Sequence, residues 1–145
     1  MSRPSISKTF MDVAFTLARR ATCGRRQVGC VLVNKRNHIL ATGYNGVAKG
    51  RDHCIDSPCA GANLPSGEGH DICEAIHAEQ NALLQCSDVY NIADCYTTTA
   101  PCMACVKLLL NTSCHRIFFN EGYEVHGDAR KLWERAGRSW IQLEE

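Results

Sequence analysis

Ten cysteines in 145 residues are the feature that most restricts this chain. After Met1 the N-terminus reads Ser-Arg-Pro-Ser-Ile-Ser-Lys, with no apolar stretch and no small-residue cleavage site of an export signal. In a reducing cytoplasm, the expected location (the host cytoplasm for a viral chain), these thiols stay free. Reduced, clustered cysteines point to metal ligands ahead of a disulfide framework. The chain does not need metal to make a core, because a domain near ~150 residues buries roughly two-thirds of its unfolded surface. Hydrophobic residues at 45% and charged residues at 21% are ordinary globular values, so a single domain over residues 1–145 is expected. No apolar run approaches the ~18 residues of a membrane span. A net charge of +1 gives no electrostatic attraction to long nucleic acid or to an anionic membrane.

Hydrophobic spacing orders the elements. Phe10, Val13, Ala14 and Leu17 fall on one helical face, which predicts a helix over Lys8 to Arg20 capped by Ser7. Val28 to Val33 and His38 to Thr42 flank the turn-forming Asn34-Lys35-Arg36-Asn37 and read as a hairpin. Residues 43–71 are rich in Gly, Pro, Asp and Ser, a long loop of the kind that either has a function or is disordered. Helix resumes at about Cys73 and runs through Leu84. Cys95 to Thr99 is a strand, Pro101 opens a helix to about Leu110, and Arg116 to Phe119 is a strand. Ala129 to Ala136 is a helix ended by Gly137, and Trp140 to Leu143 is the last strand. Strand–helix–strand units close as right-handed parallel crossovers. The expected fold is therefore α/β in three layers, a five-stranded mixed sheet with helices on both faces.

Two short motifs carry chemistry: His77-Ala78-Glu79 and Pro101-Cys102-Met103-Ala104-Cys105. A Cys-x-x-Cys that opens a helix puts both sulfurs at one helix end, where free N–H groups and the positive dipole end favour thiolates. His77, Cys102 and Cys105 make a three-ligand set for zinc, which leaves a fourth position for water as catalytic sites do. Glu79 is the proton handler beside it. On an ideal helix residues i and i+2 point roughly opposite ways, so His77 and Glu79 converge only if the cleft lies at the helix N-terminus. A redox dithiol and a structural zinc compete for Cys-x-x-Cys taken alone. The two motifs together, each at a helix start, form the known zinc-deaminase signature.

On these residues, and on Cys23, the Val28 strand, Gly43-Tyr44-Asn45-Gly46, Ile76 to Ala82 and Trp140, the chain resembles the deoxycytidylate deaminases of the cytidine deaminase superfamily almost end to end. The resemblance implies a hydrolase acting on a cyclic amidine C–N bond, turning dCMP into dUMP and ammonia for thymidylate synthesis. It implies zinc on His77, Cys102 and Cys105, and Glu79 moving protons between water, the pyrimidine N3 and the departing ammonia. It places backbone N–H groups around Ala78, and the Pro101–Cys102 carbonyl region, at the base edge. Asn45 is expected at the sugar hydroxyl, with a turn asparagine as the plainer reading, and Tyr123 against the base or on the rim. For the 5′-phosphate Arg25 and Arg26 are the candidates, against two solvated arginines, since a monoester needs a charged donor.

Cys23, Cys54, Cys59 and Cys73, with His53 and His70 as substitutes, are a candidate set for a second, structural zinc like that of some family members; free, half-buried thiols are the rival reading. Cys30, Cys86, Cys95 and Cys114 read as small core residues. The resemblance further implies a homo-oligomer, a hexamer, activated by dCTP with Mg2+ and inhibited by dTTP. Tyr44, Asn45 and Gly46 fall in the family's effector site. Rival functions are a nucleoside or tRNA adenosine deaminase of the same superfamily, or a non-catalytic zinc-binding interaction module.

Overall fold

The computed structural model describes residues 2–22, 26–47, 75–122 and 127–143. Helix α1 (Ile6–Ala18) turns Phe10, Met11, Ala14 and Ala18 inward. Its N-cap is Ser5, whose hydroxyl accepts the Lys8 N–H at 3.1 Å. The expected cap, Ser7, lies within the first turn, its hydroxyl 3.4 Å from the Tyr96 phenol. Either serine suits a cap by type; the contact with distant Tyr96 accompanies Ser7 inside the helix.

Strands β1 (Gly29–Val33) and β2 (Ile39–Tyr44) form the expected hairpin. Asn34 Oδ1 accepts the N–H groups of Arg36 and His38, and Asn37 takes φ 62°, a left-handed conformation that asparagine tolerates. Two short strands follow, β3 (Gly46–Val47) and β4 (Ala75–Ile76), paired antiparallel as a separate ribbon. This corrects the helix expected from Cys73. Ala75 and Ile76 are extended, and α2 (Ala78–Gln85) begins only after His77. A short apolar run does not distinguish strand from helix by periodicity, and the pairing of β4 with β3 decides it. The remaining elements are β5 (Asp94–Thr99), α3 (Met103–Leu110), β6 (Arg116–Glu121), α4 (Gly127–Arg135) and β7 (Ser139–Gln142).

The main sheet has the order β2-β1-β5-β6-β7. β1 runs antiparallel to β2 and β5, whereas β5, β6 and β7 are parallel. The five-stranded mixed sheet expected from the sequence is thus present. Every residue of β1 is buried, because helices cover both faces. Alternation along the strands sorts side chains into two cores. Val31, Val33, Tyr96 and Phe118 meet Phe10, Met11 and Ala14 of α1 on one face. Cys30, Leu32, Cys95, Ile117 and Phe119 meet Ala78 and Ala82 of α2, Val106 and Leu109 of α3 and Trp133 of α4 on the other. Cys30, Cys95 and Cys114 are buried free thiols, as core residues should be, whereas Cys86, at the end of α2, is only half-buried.

One glycine positions α2. A Cβ on Gly43 would lie 2.3 Å from the Ala78 carbonyl oxygen and 2.5 Å from the Ala82 nitrogen. Strand β2 and the first turn of α2 therefore meet backbone to backbone, and only glycine permits that approach.

Candidate active site and metal centre

The N-termini of α2 and α3 supply the site. His77 is the N-cap of α2 and Cys102 that of α3, and both are extended (φ −68°, ψ 152° and φ −78°, ψ 172°). The extended His77 removes the conflict that ideal helical spacing sets between His77 and Glu79. Only Glu79, at the second helical position, follows helix geometry. Gln80 helps fix this entry, its Oε1 accepting the His77 N–H at 2.9 Å. That is the reach-back half of a capping box.

Three donor atoms converge. His77 Nδ1 lies 3.2 Å from Cys105 Sγ and 3.4 Å from Cys102 Sγ, and the two sulfurs are 3.7 Å apart. The sulfurs are free thiols, not a disulfide. A tetrahedral zinc with Zn–S of about 2.3 Å and Zn–N of about 2.0 Å would separate sulfur from sulfur by about 3.8 Å and sulfur from nitrogen by about 3.5 Å. The donors already stand at nearly those spacings, so the residues present fit zinc. No other cluster of this kind occurs among the described residues.

The electrostatics suit the same use. Cys105 is fully buried, and Cys102 and Glu79 are nearly so. The hydrogen bond between Cys102 and Cys105 pulls the Cys102 thiol down to about 3 against the effect of burial, helped by His77 and the Cys105 N–H. The same bond, together with burial, pushes the Cys105 thiol well up. Without metal the pair therefore shares one proton, a property of the pair and not of either residue; a dication displaces it. Glu79 is pushed up to about 7 from 4.5, mainly by burial, with His77 opposing and Cys102 reinforcing. A carboxyl poised near neutral pH can both accept and donate a proton.

The other expected residues divide. Ala78 is fully buried as the first residue of α2, where its N–H has no partner within the helix. Tyr44 and Gly46 flank Asn45 on the turn beyond β2, and Asn81 of α2 donates its Nδ2 to the Tyr44 carbonyl at 2.8 Å. Asn45 is buried, with its Oδ1 on the Val28 N–H and its Nδ2 on the Arg26 carbonyl, each at 2.7 Å. Those bonds tie the side chain to segment 26–28 and leave the amide a second N–H and a second lone pair. Tyr123, Arg25, His53, His70, Cys23, Cys54, Cys59 and Cys73 lie outside the described residues. Sequence reasoning passed over Gln80 and Asn81, and also Thr98 of β5, whose hydroxyl accepts the Gly29 N–H at 3.2 Å. Gln80 was legible from its position three residues after His77. Asn81 and Thr98 gave no local signal, since their partners are 37 and 69 residues away.

Comparison with known proteins agrees with this geometry. The family described as "Cytidine and deoxycytidylate deaminase zinc-binding region" matches residues 4–121. The deoxycytidylate deaminase of Schizosaccharomyces pombe is 36% identical over 147 residues, 99% of this chain; the chain spans only 44% of that longer relative. The deoxycytidylate deaminase of Mycobacterium phage D29 is 36% identical over 125 residues, covering 82% of this chain and 97% of the phage protein. In fold, the dCMP deaminase of the cyanophage S-TIM5, solved with dCMP and dUMP, superposes with a TM-score of 0.76 at 24% identity, over 99% of this chain and all of that one. The matched span takes in both helix starts and the metal-ligand set, and the chain belongs to the cytidine and deoxycytidylate deaminase family.

Proposed function

We propose that this chain, acting as a single domain, is a zinc-dependent deaminase that hydrolyses dCMP to dUMP and ammonia. The observation that carries the reading is the nearly buried Glu79 carboxyl, poised at about 7, beside the convergent His77, Cys102 and Cys105. The names of the relatives at 36% identity support dCMP as the substrate. Zinc held by the three residues supplies a Lewis acid that makes water nucleophilic near neutral pH. Glu79 does the proton work. Its carboxylate takes one proton from the attacking water and delivers it to N3 as the new C4–O bond forms. It then carries the second proton to the departing amine as the C4–N bond breaks, so ammonia leaves neutral and the carboxylate is restored. The Ala78 N–H and the carbonyl region of Pro101 and Cys102 read the base edge, Tyr123 packs against the base, and Arg26 meets the 5′-phosphate.

The same reading extends to regulation and setting. The enzyme is a cytoplasmic homohexamer feeding thymidylate synthesis, activated by dCTP with Mg2+ and inhibited by dTTP through the turn at Tyr44, Asn45 and Gly46. Cys23, Cys54, Cys59 and Cys73 hold a second, structural zinc. The family resemblance supports the assembly and the regulation; for the second zinc it supports Cys23 and Cys54, which Cys59 and Cys73 complete. Ammonia release from dCMP, deoxycytidine and an anticodon stem-loop, measured side by side, tests the activity, with dCMP expected to be preferred. Glu79→Gln should keep its zinc by metal analysis and lose turnover by at least about 10²–10⁴-fold, the usual worth of a general acid–base. Full activity in that variant ends the reading. Initial rates over a dCMP series with and without each triphosphate test regulation, and superimposable curves remove it.

A further inference from the structure

Of the three expected zinc ligands, His77 is the one that α3 does not place. Cys102 and Cys105 open the same helix, so their sulfurs keep their 3.7 Å separation wherever that helix sits. The imidazole comes from another element, and its Nδ1 reaches the two sulfurs at 3.2 and 3.4 Å from the start of α2. Nδ1 is the ring nitrogen nearer the backbone. A displacement of the His77 main chain is therefore passed to the donor atom almost undiminished.

His77 also stands at a junction between elements that are held separately. Ile76 before it pairs with Gly46 in the β3–β4 ribbon, and Ala78 after it opens α2. α2 is seated by the backbone approach at Gly43 and by Asn81 Nδ2, which donates to the Tyr44 carbonyl at 2.8 Å. Two bonds fix the His77 main chain between them. Its carbonyl accepts the Asn81 N–H at 2.9 Å, and its N–H donates to Gln80 Oε1 at 2.9 Å. The first bond comes with any helix start, whereas the second exists only because residue 80 carries an acceptor of the right reach.

We propose that Gln80 is a positioning residue for the metal centre: by accepting the His77 N–H it holds the imidazole at zinc-binding distance from the Cys102 and Cys105 sulfurs, and so tightens zinc binding in the folded protein. This rests on the zinc part of the reading above and not on the identity of the substrate. A partner that orients a ligand raises metal affinity because it spares the ordering that binding otherwise requires.

The test measures zinc dissociation constants for wild type, Gln80→Leu, Gln80→Glu and Cys102→Ala by competition with a chromophoric chelator, alongside urea unfolding of the chelated proteins. Cys102→Ala keeps any zinc bound elsewhere and supplies the background. Gln80→Leu should raise the constant about three- to tenfold, the scale of one lost hydrogen bond. Gln80→Glu keeps an acceptor oxygen and is the other side chain of this capping pattern. It should bind zinc within about twofold of wild type at an ionic strength that screens the added charge. A merely structural role gives a different result: Gln80→Leu unfolds at lower urea in chelator, yet the folded protein holds zinc as tightly as wild type. That overturns the proposal, as does Gln80→Glu binding zinc as weakly as Gln80→Leu. If Gln80→Leu does not fold, Gln80→Ala removes the same acceptor with the best helix former, and the same outcomes decide. Failure of the zinc reading shows separately. Cys102→Ala that retains as much zinc as wild type means that His77, Cys102 and Cys105 do not hold the metal, which overturns the positioning role with it.

Discussion

At the scale of single residues, burial sets the chemistry. Glu79 is nearly inaccessible, and its carboxyl is raised from 4.5 to about 7 chiefly for that reason. Folded, metal-free protein therefore binds this proton more tightly than the unfolded chain does. The resulting stability is fully present below about pH 4.5 and is lost as pH rises through about 7. Glu79→Gln keeps the shape and removes the titration. In chelator, the variant should be more stable than wild type at pH 8 by on the order of 1–3 kcal/mol, and the gap should narrow toward pH 5. Urea unfolding at the two pH values reads this directly, and an equal gap at both would show that ionisation of Glu79 does not cause it. Cys30 and Cys95, with sulfurs 3.6 Å apart and Glu79 in electrostatic reach, are raised as well, Cys95 by its hydrogen bond with Cys30 and by burial, Cys30 by burial against that bond.

At the scale of elements, the helices must be held at both ends. The N-terminal end of α2 is fixed by the approach that Gly43 allows. Gly43→Ala would drive a methyl into the Ala78 carbonyl and the Ala82 nitrogen, backbone atoms that cannot rotate aside. A destabilisation of about 1–3 kcal/mol is expected, the usual cost of overpacking, together with weaker zinc retention in a chelator competition because His77 shifts with α2. Unaltered retention would show that α2 moves without its cap residue. At the far end of α3, the Arg138 guanidinium donates to the carbonyls of Leu109, Leu110, Thr112 and Cys114 and stacks over the Trp133 ring at 5.1 Å. It satisfies carbonyls that a helix end leaves open and places a cation at the negative end of the dipole. Arg138→Ala should cost about 2–4 kcal/mol by denaturant unfolding. Arg138→Lys should recover only part of that, since an ammonium cannot present a fork of donors.

For the molecule as a whole, zinc links folding to function. Ligands brought together from α2 and α3 bind metal in the folded state and not in the extended chain, so binding stabilises the fold by mass action. Zinc-loaded protein should melt about 10 °C above chelated protein when free zinc exceeds its dissociation constant about a thousandfold. Metal content decides the second cysteine cluster. A value near two per chain is expected from the set of Cys23, Cys54, Cys59 and Cys73, and a value near one removes it. Sheet architecture supports the site in turn. The bidentate pair of Arg116 with buried Asp94 ties β5 to β6 at their starts, at the opposite end of β5 from Cys102.

Much of this was legible in the residues because it is encoded locally. Strand and helix periods, the Asn34–Asn37 turn, and Pro101 ahead of Cys102 and Cys105 each act over a few positions, and the five-stranded mixed sheet followed from their order. The ligand set was legible too, because thiols and an imidazole at two helix starts carry their chemistry wherever they lie. Tertiary structure alone decided the rest. It made His77 an extended cap instead of a helical residue, and so placed Glu79 beside it. It paired Ala75 and Ile76 with Gly46 and Val47, and moved the α1 cap from Ser7 to Ser5. It also spent the Asn45 amide on a segment 17 to 19 residues earlier in the chain, and the Arg138 guanidinium on carbonyls 24 to 29 residues earlier. Spacing along a chain records what a residue can bond to; which partner it meets is settled only when distant segments pack and each buried polar group must find one.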